Sequence, residues 1–273
     1  MGTTSDKLTY LNTTKEQLKT KINSLGGSIT ASTPFRDYVD ALDDISGGGG
    51  YPPDWSLIGY SDTPQSVITD FNYAKEIYDN WDSSITSMAN KYSYNNEIVL
   101  MPLVDTSNVT DMEYAFNYAV HFEYFPLLDT SKVTNFSYTF SNTDIRSIPL
   151  IDTSSAGSTR AMFSDCSKLT AVPLFNTSNA TNMNQMFYGC SSLVTVPAFD
   201  TSKANNLNLC FGSCSQLSDE SLNNIMRMCI NTTTSYTRAK TLATIGITST
   251  QATRCQSLSN YQDFLDAGWT TGY

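Results

Sequence analysis

One stretch of this chain repeats itself, and that repeat constrains the fold more than any other feature. Units of about 24 residues begin with Asp-Thr-Ser or Asn-Thr-Ser and end in a short apolar run that contains proline. The units start at Asp105, Asp129, Asp152 and Asn176, with a truncated copy from Asp200 and a weaker one from Trp81. A period of about 20 to 50 residues is typical of a solenoid, because each unit buries its apolar face only against its neighbours.

Constant positions inside the unit indicate its core. If the opening Asp or Asn is position 1, then position 12 is Phe in five units, and we expect these rings to stack. They are Phe116, Phe140, Phe163, Phe187 and Phe211. Position 15 is Cys166, Cys190 or Cys214 in three units, which predicts reduced thiols that serve as small apolar side chains. A pairing of Cys210 with Cys214 is the alternative.

The two halves of the unit differ in pattern. The first half has helical apolar spacing and predicts a short helix, whereas the second half, Leu-x-x-Val-Pro-x-Phe in type, predicts a short strand. Proline recurs in each copy and cannot donate to a sheet, so the strand ladder should be short. One residue is missing between Phe140 and Ile145, so the unit from Asp129 should turn more tightly. The predicted fold is an α/β solenoid of stacked helix-plus-parallel-strand units.

The flanking segments complete the predicted organisation. Residues 1–46 carry two amphipathic stripes and predict a separate helical hairpin for attachment or oligomerisation, with packing on the repeats as the alternative. Residues 47–50 are a glycine linker. Residues 51–80 and 218–273 predict N-terminal and C-terminal helical caps on the repeats at 81–217, because a solenoid needs covered ends.

Several residues mark the helices of these caps. Apolar residues from Ile68 to Tyr78 recur at helical spacing and predict the N-terminal capping helix. Ser218 should begin a C-terminal helix, since acidic residues follow it in the first turn. Its expected core stripe is Leu222, Ile225, Met226 and Cys229. A last helix is expected to carry Leu258, Tyr261, Phe264 and Leu265.

Composition excludes some partners and favours a protein without catalysis. The net charge of −10 argues against nucleic acid, and no apolar run reaches the length of about 18 residues expected of a membrane span. The N-terminus shows no signal peptide in this chain. The only histidine, His121, has no nucleophile at a matching phase, and no cofactor motif is present, so we expect no enzyme, no cofactor and no metal site. The aspartate ladder at position 1 could bind calcium, but Asn176 interrupts it and turn formation explains it.

The unit resembles a known family. The segments NTSNATNMNQMFYGCSSL at 176–193 and DTSNVTDM at 105–112 are similar to BspA-like leucine-rich-repeat surface proteins. The subfamily in question reads Asp-Thr-Ser-x-Val-Thr-x-Met-x-x-Met-Phe-x-x-Cys-x-x-Leu. The resemblance covers roughly residues 81–217 and implies a right-handed solenoid with a role in adhesion or recognition at a cell surface. Thr159 departs from the pattern, because it replaces a core Met.

The N-terminal arm resembles a different group of proteins. TKEQLKTKINSLGGSIT at 14–30 and TPFRDYVDALDDI at 33–45 are similar to short helical modules of tail and adhesin proteins encoded by phages and prophages of gut bacteria. This resemblance implies an attachment segment, and residues 1–46 could also join copies of the chain. It favours location on a virion, with an extracellular or cell-surface location as the alternative.

These observations predict a recognition or adhesion protein that binds a cell-surface protein or glycan and is encoded by a phage or prophage. The alternatives are a bacterial surface or secreted adhesin of the BspA-like type and a structural virion scaffold. Binding should use positions that vary between units, since constant positions build the frame. The candidates in the second half are Glu123, Tyr124, Arg146, Ser147, Thr170 and Thr195. The candidates in the first half are Tyr114, Tyr118, Tyr138 and Tyr188. The alternative for any single one is an exposed tyrosine of the solenoid that binds no ligand.

Overall fold

A computed structural model describes residues 71–232, 236 and 238–273. The chain divides into two units, Met1–Lys75 and Glu76–Tyr273, and the repeats lie in the second. The predicted hairpin at 1–46 and the linker at 47–50 lie outside the described residues. The described part contains four helices: α1 (Phe71–Asp79), α2 (Asp219–Asn231), α3 (Ser249–Cys255) and α4 (Tyr261–Asp266). None of these helices is long and apolar enough to cross a membrane.

The first half of each unit folds as consecutive tight turns. Residues 81–217 are all described and contain no helix, so the short helix predicted for each unit is wrong. Positions 10 and 14 adopt left-handed backbone conformations with φ between 50° and 74°, whereas an α-helix needs a φ of about −63° at every residue. The twelve residues are Asn90, Tyr94, Tyr114, Tyr118, Tyr138, Asn142, Ala161, Asp165, Gln185, Gly189, Leu209 and Ser213.

These turns connect each unit to the next through the backbone. N–H groups at positions 8, 10, 12 and 14 donate to the following unit, as Tyr114 N does to Ser137 O at 2.9 Å and Phe116 N to Thr139 O at 2.9 Å. N–H groups at odd positions bond within their own unit, as Ala115 N does to the carbonyl of Met112 at 3.1 Å. Parallel bridges at position 7 join Ser87, Asp111, Asn135, Ser158, Asn182 and Asn206 in succession. We call positions 7–15 the turn side. Its backbone alternates in conformation, so every second N–H points towards the neighbouring unit.

The second half of the unit, positions 18–22, forms a much weaker connection, and we call it the strand side. Parallel bridges join Leu100 to Tyr124 and Ala171 to Thr195. In the unit from Asp129, the described segment 145–149 makes no backbone hydrogen bond to either neighbour. This is the unit that lacks one residue, so the backbone connection fails where the period is broken.

Threonine at position 2 provides a further contact between units, whereas the sequence pattern predicted only a turn at this residue. The buried hydroxyls of Thr106, Thr130 and Thr153 donate to the carbonyls of Asp129, Asp152 and Asn176 at 2.8, 2.7 and 2.9 Å. Each hydroxyl therefore satisfies the backbone of the next unit. The Asp or Asn before it does form the predicted turn, as Asp105 Oδ1 accepts from Ser107 N at 2.9 Å.

A column of phenyl rings fills the core, as position 12 predicted. Successive rings from Phe116 to Phe211 are stacked with centroid separations of 5.4 to 5.7 Å and are almost fully buried. The ring of Tyr92 continues the column by 5.4 Å beyond Phe116. Burial of large aromatic side chains is the main source of stability in such a stack.

The cysteines are buried free thiols, as predicted, and no disulfide joins Cys210 to Cys214. The thiols of Cys166, Cys190 and Cys214 each donate to the carbonyl of the position-12 Phe in the preceding unit at 3.0 Å. Burial raises the pKa of Cys166 and of Cys214 to about 12. At neutral pH these thiols are therefore protonated and poor nucleophiles.

The C-terminal segment continues the turn-side ladder. Leu209 N and Phe211 N donate to Thr244 O and Ile245 O at 2.9 Å, so residues 242–247 take the place of a further unit. The helix predicted after Ser218 is confirmed as α2, with Ser218 Oγ accepting from Ser221 N and the expected stripe buried. In α4 only Phe264 of the predicted stripe is buried, and α3 was not predicted. The solenoid class and its handedness stay predictions.

Candidate functional site

The strand-side candidates gather around a small group of charges. Arg146 Nε lies 3.1 Å from Glu123 Oε2, and Lys168 Nζ lies 3.7 Å from Glu123 Oε1. Lys168 also forms an ion pair with Asp144. These four side chains come from three successive units and connect them where the backbone connection is missing. Glu123 and Arg146 therefore help to hold successive units together.

The remaining strand-side candidates differ in exposure. Tyr124 is buried, with 7% of its surface exposed, so it is not part of the outer surface expected for it. Ser147, Thr170 and Thr195 are exposed. The carbonyl of Thr170 accepts from Thr195 N at 3.2 Å, which leaves both side chains outside the ladder. The strand side thus offers small hydroxyl side chains beside an internally paired charge group.

The turn-side tyrosines form two stacked pairs. Tyr94 and Tyr118 stack at 5.0 Å with an interplanar angle of 4°, and Tyr114 and Tyr138 stack at 4.7 Å with an angle of 8°. The guanidinium of Arg160 lies over the ring of Tyr138, 5.3 Å from its centroid. We call Tyr94, Tyr114, Tyr118, Tyr138 and Arg160 the tyrosine patch. Its tyrosines come from three neighbouring units, so the stacking of the units also stacks their rings.

The tyrosines of the patch share one backbone conformation. All four tyrosines occupy position 10 or 14 with φ of 57° or 58°. A left-handed conformation costs a residue with a Cβ about 1–2 kcal/mol, and such strain is often found at functional sites. Tyr94 and Tyr118 expose 68% and 43% of their surface. Tyr94 and Tyr118 are therefore exposed aromatic side chains on residues whose backbone carries a conformational cost.

The environment of Tyr114 favours the protonated form of its hydroxyl. Burial raises the pKa of Tyr114, and the neighbouring Tyr138 and Glu113 act in the same direction. A protonated phenol both donates and accepts hydrogen bonds. The patch therefore combines aromatic surface, hydroxyl groups and one cation.

The fourth predicted tyrosine is separate from this patch. Tyr188 lies against the backbone of Gly212, since a Cβ at residue 212 would meet the ring carbon Cδ2 at 2.6 Å. Among the described residues it makes no ring contact with another tyrosine. The period could have added Tyr94, which stands 24 residues before Tyr118. The repeat pattern did not identify Arg160 as a site residue, because Arg160 stands at position 9 of its unit and not at position 10 or 14.

Other chemistry finds little support in this part of the chain. His121 is exposed on a loop. In the described residues, no cluster of three or more His, Cys, Asp or Glu side chains could hold a metal ion.

Comparison with known proteins gave one family and no individual relative. The family described as "Mycoplasma protein of unknown function, DUF285" matches residues 65–171 and again residues 126–225. The two matches overlap, as expected for a repeat, and together they span more than half of the chain. No curated protein and no solved structure matches the chain.

Proposed function

This chain belongs to the DUF285 family of BspA-like repeat proteins, and on that premise we propose that it is a non-enzymatic recognition or adhesion protein. Its ligand is a protein or glycan on a cell surface, and its repeats act as a solenoid that presents the binding residues. The tyrosine patch is the observation that supports this proposal best. Function is assigned to that surface because the constant positions of the unit are occupied by the core and by inter-unit hydrogen bonds.

The chemistry of the patch fits such a ligand. Tyrosine offers a large contact area at low conformational entropy cost, and its hydroxyl adapts to different hydrogen-bonding groups. The outer ring of Tyr94 is exposed enough for a sugar ring or an apolar side chain to pack against it. Arg160 has no ion pair among the described residues, so its guanidinium edge can receive a carboxylate or a hydroxyl.

The origin of the protein is a second part of the proposal. Resemblance of residues 14–45 to phage and prophage tail modules supports a virion protein whose arm attaches it. The family description names Mycoplasma, which favours the alternative of a bacterial surface or secreted adhesin. Tail genes beside the gene would support the first origin. Light scattering of the chain with and without residues 1–46 would test the arm, because a monomer in both forms excludes oligomerisation through it.

A binding array of glycans and of whole cells tests the proposed function. We expect the complete chain to bind a subset of targets and the double variant Tyr94→Asn/Tyr118→Asn to lose them. Asn142 occupies the same left-handed phase, so the turn should accept asparagine. Tyr188→Asn is the matched control outside the patch and should bind as the natural chain does.

Circular dichroism of both variants would show that the fold is retained. Equal binding by the double variant and the natural chain would exclude the patch as the site. Absence of binding to every glycan and cell type would contradict adhesion.

A further inference from the structure

A second surface of the repeats lies outside the tyrosine patch. The residue after the unit's proline is leucine in four successive units. Leu103 is half-buried, whereas Leu127, Leu150 and Leu174 expose 44%, 47% and 53% of their surface. We call these three exposed residues the leucine ridge. Such exposure, repeated at one phase of a stack, forms a line of apolar side chains instead of scattered ones.

A local turn holds the ridge outward. The residue after each leucine donates its N–H to the carbonyl of the preceding proline, as Leu128 N does to Pro126 O at 2.9 Å. The same bond joins Ile151 N to Pro149 O and Phe175 N to Pro173 O. Each leucine is the central residue of a three-residue turn between a proline and a buried apolar residue, so its side chain is at the turn's tip. The exposure is therefore built into the backbone.

A row of carboxylates follows the ridge two residues later in the chain. Asp129 and Asp152 are exposed, and Oδ1 of each accepts from Ser131 N and Ser154 N at 3.0 and 2.8 Å. Among the described residues neither aspartate forms an ion pair. The carbonyl of Asp129 accepts from the hydroxyl of Thr106 and that of Asp152 from the hydroxyl of Thr130, which fixes their backbone in the stack. We call Asp129 and Asp152 the aspartate pair.

Neighbouring charges leave this surface acidic. Asp105 precedes the pair in the same phase, and hydrogen bonds from Ser107, together with the charge of Lys132, lower its pKa. Lys132 itself donates to Asn108 Oδ1 at 3.3 Å. The chain as a whole carries a net charge of −10. A second copy of the chain would bring two acidic rows together, so charge opposes self-association here.

We propose that the leucine ridge and the aspartate pair form a docking surface for a cationic amphipathic helix of a partner protein. The units that carry these leucines repeat at 5.7 and 5.4 Å in the phenyl column of the same stack. That spacing is closer to the 5–6 Å or so between side chains three or four residues apart on a helix than to the roughly 6.8 Å between alternate residues of a strand. Apolar residues of the partner helix pack along the ridge, and its Lys or Arg side chains pair with the aspartates.

The test uses the complete chain and a fluorescent synthetic peptide of leucine and lysine with helical apolar periodicity. Anisotropy should rise to saturation, and the affinity should fall as salt increases. A peptide with glutamate in place of lysine should not bind. Equal binding of the two peptides would overturn the proposal.

The repeats themselves supply conservative variants. Ala198 occupies the ridge position one unit later, so Leu127→Ala/Leu150→Ala/Leu174→Ala should fold and should weaken binding by about tenfold or more. Asn176 accepts from Ser178 N at 3.2 Å in place of an aspartate, so Asp129→Asn/Asp152→Asn should keep the turns and reduce the salt dependence. Val120→Ala/Val194→Ala, which changes exposed valines elsewhere, is the control and should bind unchanged.

The outcomes separate the possible occupants. Undiminished binding by the leucine variant, or an unchanged salt dependence in the aspartate variant, would exclude this surface. Light scattering that found a dimer of the natural chain and a monomer of the leucine variant would make a second copy the occupant and contradict the proposal. Since no residue of the tyrosine patch is altered, failure here leaves the proposed function untouched.

Discussion

The turn side and the strand side of the repeats hold successive units together in different ways. On the turn side, backbone N–H groups at positions 8, 10, 12 and 14 bond to the next unit from Met88 through to Gly189, including across the unit that lacks a residue. On the strand side, bridges remain only between Leu100 and Tyr124 and between Ala171 and Thr195. Between them, ion pairs of Glu123, Arg146 and Lys168 connect the units instead.

This difference shows which side chains are free to vary. The turn-side ladder uses backbone atoms alone, so positions 10 and 14 accept residues as different as Tyr118, Asn142 and Gly189. The strand-side ladder depends on the length of the unit, and a single missing residue removes it. Variation without loss of connection makes the turn side the better place to present a binding surface.

The first prediction concerns the phenyl column, which both sides share. Phe140→Ala should lower the free energy of unfolding by about 3–5 kcal/mol, because it leaves a large cavity in a buried stack. The ring lies 5.7 Å from Phe116, 5.4 Å from Phe163 and 4.9 Å from Phe125, so neighbours on both sides lose contact. Urea denaturation measures the change.

Phe187→Ala is the matched control in a unit of full length. The turn side is the same in both units, so we expect a loss in the same range. A loss much smaller at residue 187 than at residue 140 would mean that the strand-side gap, and not the shared column, decides the stability of the stack.

A second prediction tests one defect of the turn side. Thr159 stands at position 8, where other units carry Met, Phe or Leu, and its buried hydroxyl finds no hydrogen-bond partner among the described residues. Thr159→Val should therefore raise the free energy of unfolding by about 1–2 kcal/mol, because a buried unpaired hydroxyl is costly.

Thr139→Val provides the opposite case. The Thr139 hydroxyl is also buried, but it donates to Met112 O at 2.9 Å, so its removal should cost about 1 kcal/mol. Thermal melts of the two variants should shift in opposite directions. Shifts in the same direction would contradict the pairing that the structure gives these two hydroxyls.

A third prediction concerns the ion pairs of the strand side. Arg146 has half of its side chain exposed, so Arg146→Ala should lower the free energy of unfolding by no more than about 1 kcal/mol. The loss should shrink in high salt, since exposed ion pairs are screened. Lys203→Ala, which removes an exposed lysine whose Nζ donates to Asn179 Oδ1, should change stability less. A loss above about 2 kcal/mol that salt does not alter would show that the pair replaces the missing ladder in energy as well as in position.

The repeat pattern in the sequence predicted some features of the fold correctly and led to a wrong prediction for others. The phenyl column and the buried thiols followed from residues that recur at one phase. The helix prediction for each unit was wrong because tight turns and a helix both place apolar residues three or four apart, as at Met112, Ala115 and Phe116. Asn90, Asn142 and Gly189 at positions 10 and 14 were a usable signal, since Asn and Gly favour left-handed conformations.

The candidate site was predicted only in part, and for a related reason. Tyr114, Tyr118 and Tyr138 stood out by composition, but their pairing depends on which positions stack ring on ring. The pairing depends on the left-handed backbone at positions 10 and 14, and the predicted helix does not have that conformation. Arg160 and the exposure of the leucine ridge depend on local turns that no periodicity describes.

The last prediction compares the effect of Tyr118 on stability with its proposed use in binding. Tyr118→Asn should leave the free energy of unfolding almost unchanged. It removes a ring stack worth about 0.5–1.5 kcal/mol, but it also relieves a left-handed backbone that costs a bulky residue about 1–2 kcal/mol. The two terms oppose each other, and Asn142 shows that this turn accepts asparagine.

Tyr118→Phe is the control, because it keeps the ring and its strain and should melt with the natural chain. A loss above about 1.5 kcal/mol for Tyr118→Asn would show that the stack of Tyr94 and Tyr118 serves the frame. An unchanged melt together with lost binding in the array would mean that the turn holds the tyrosine outward for a ligand.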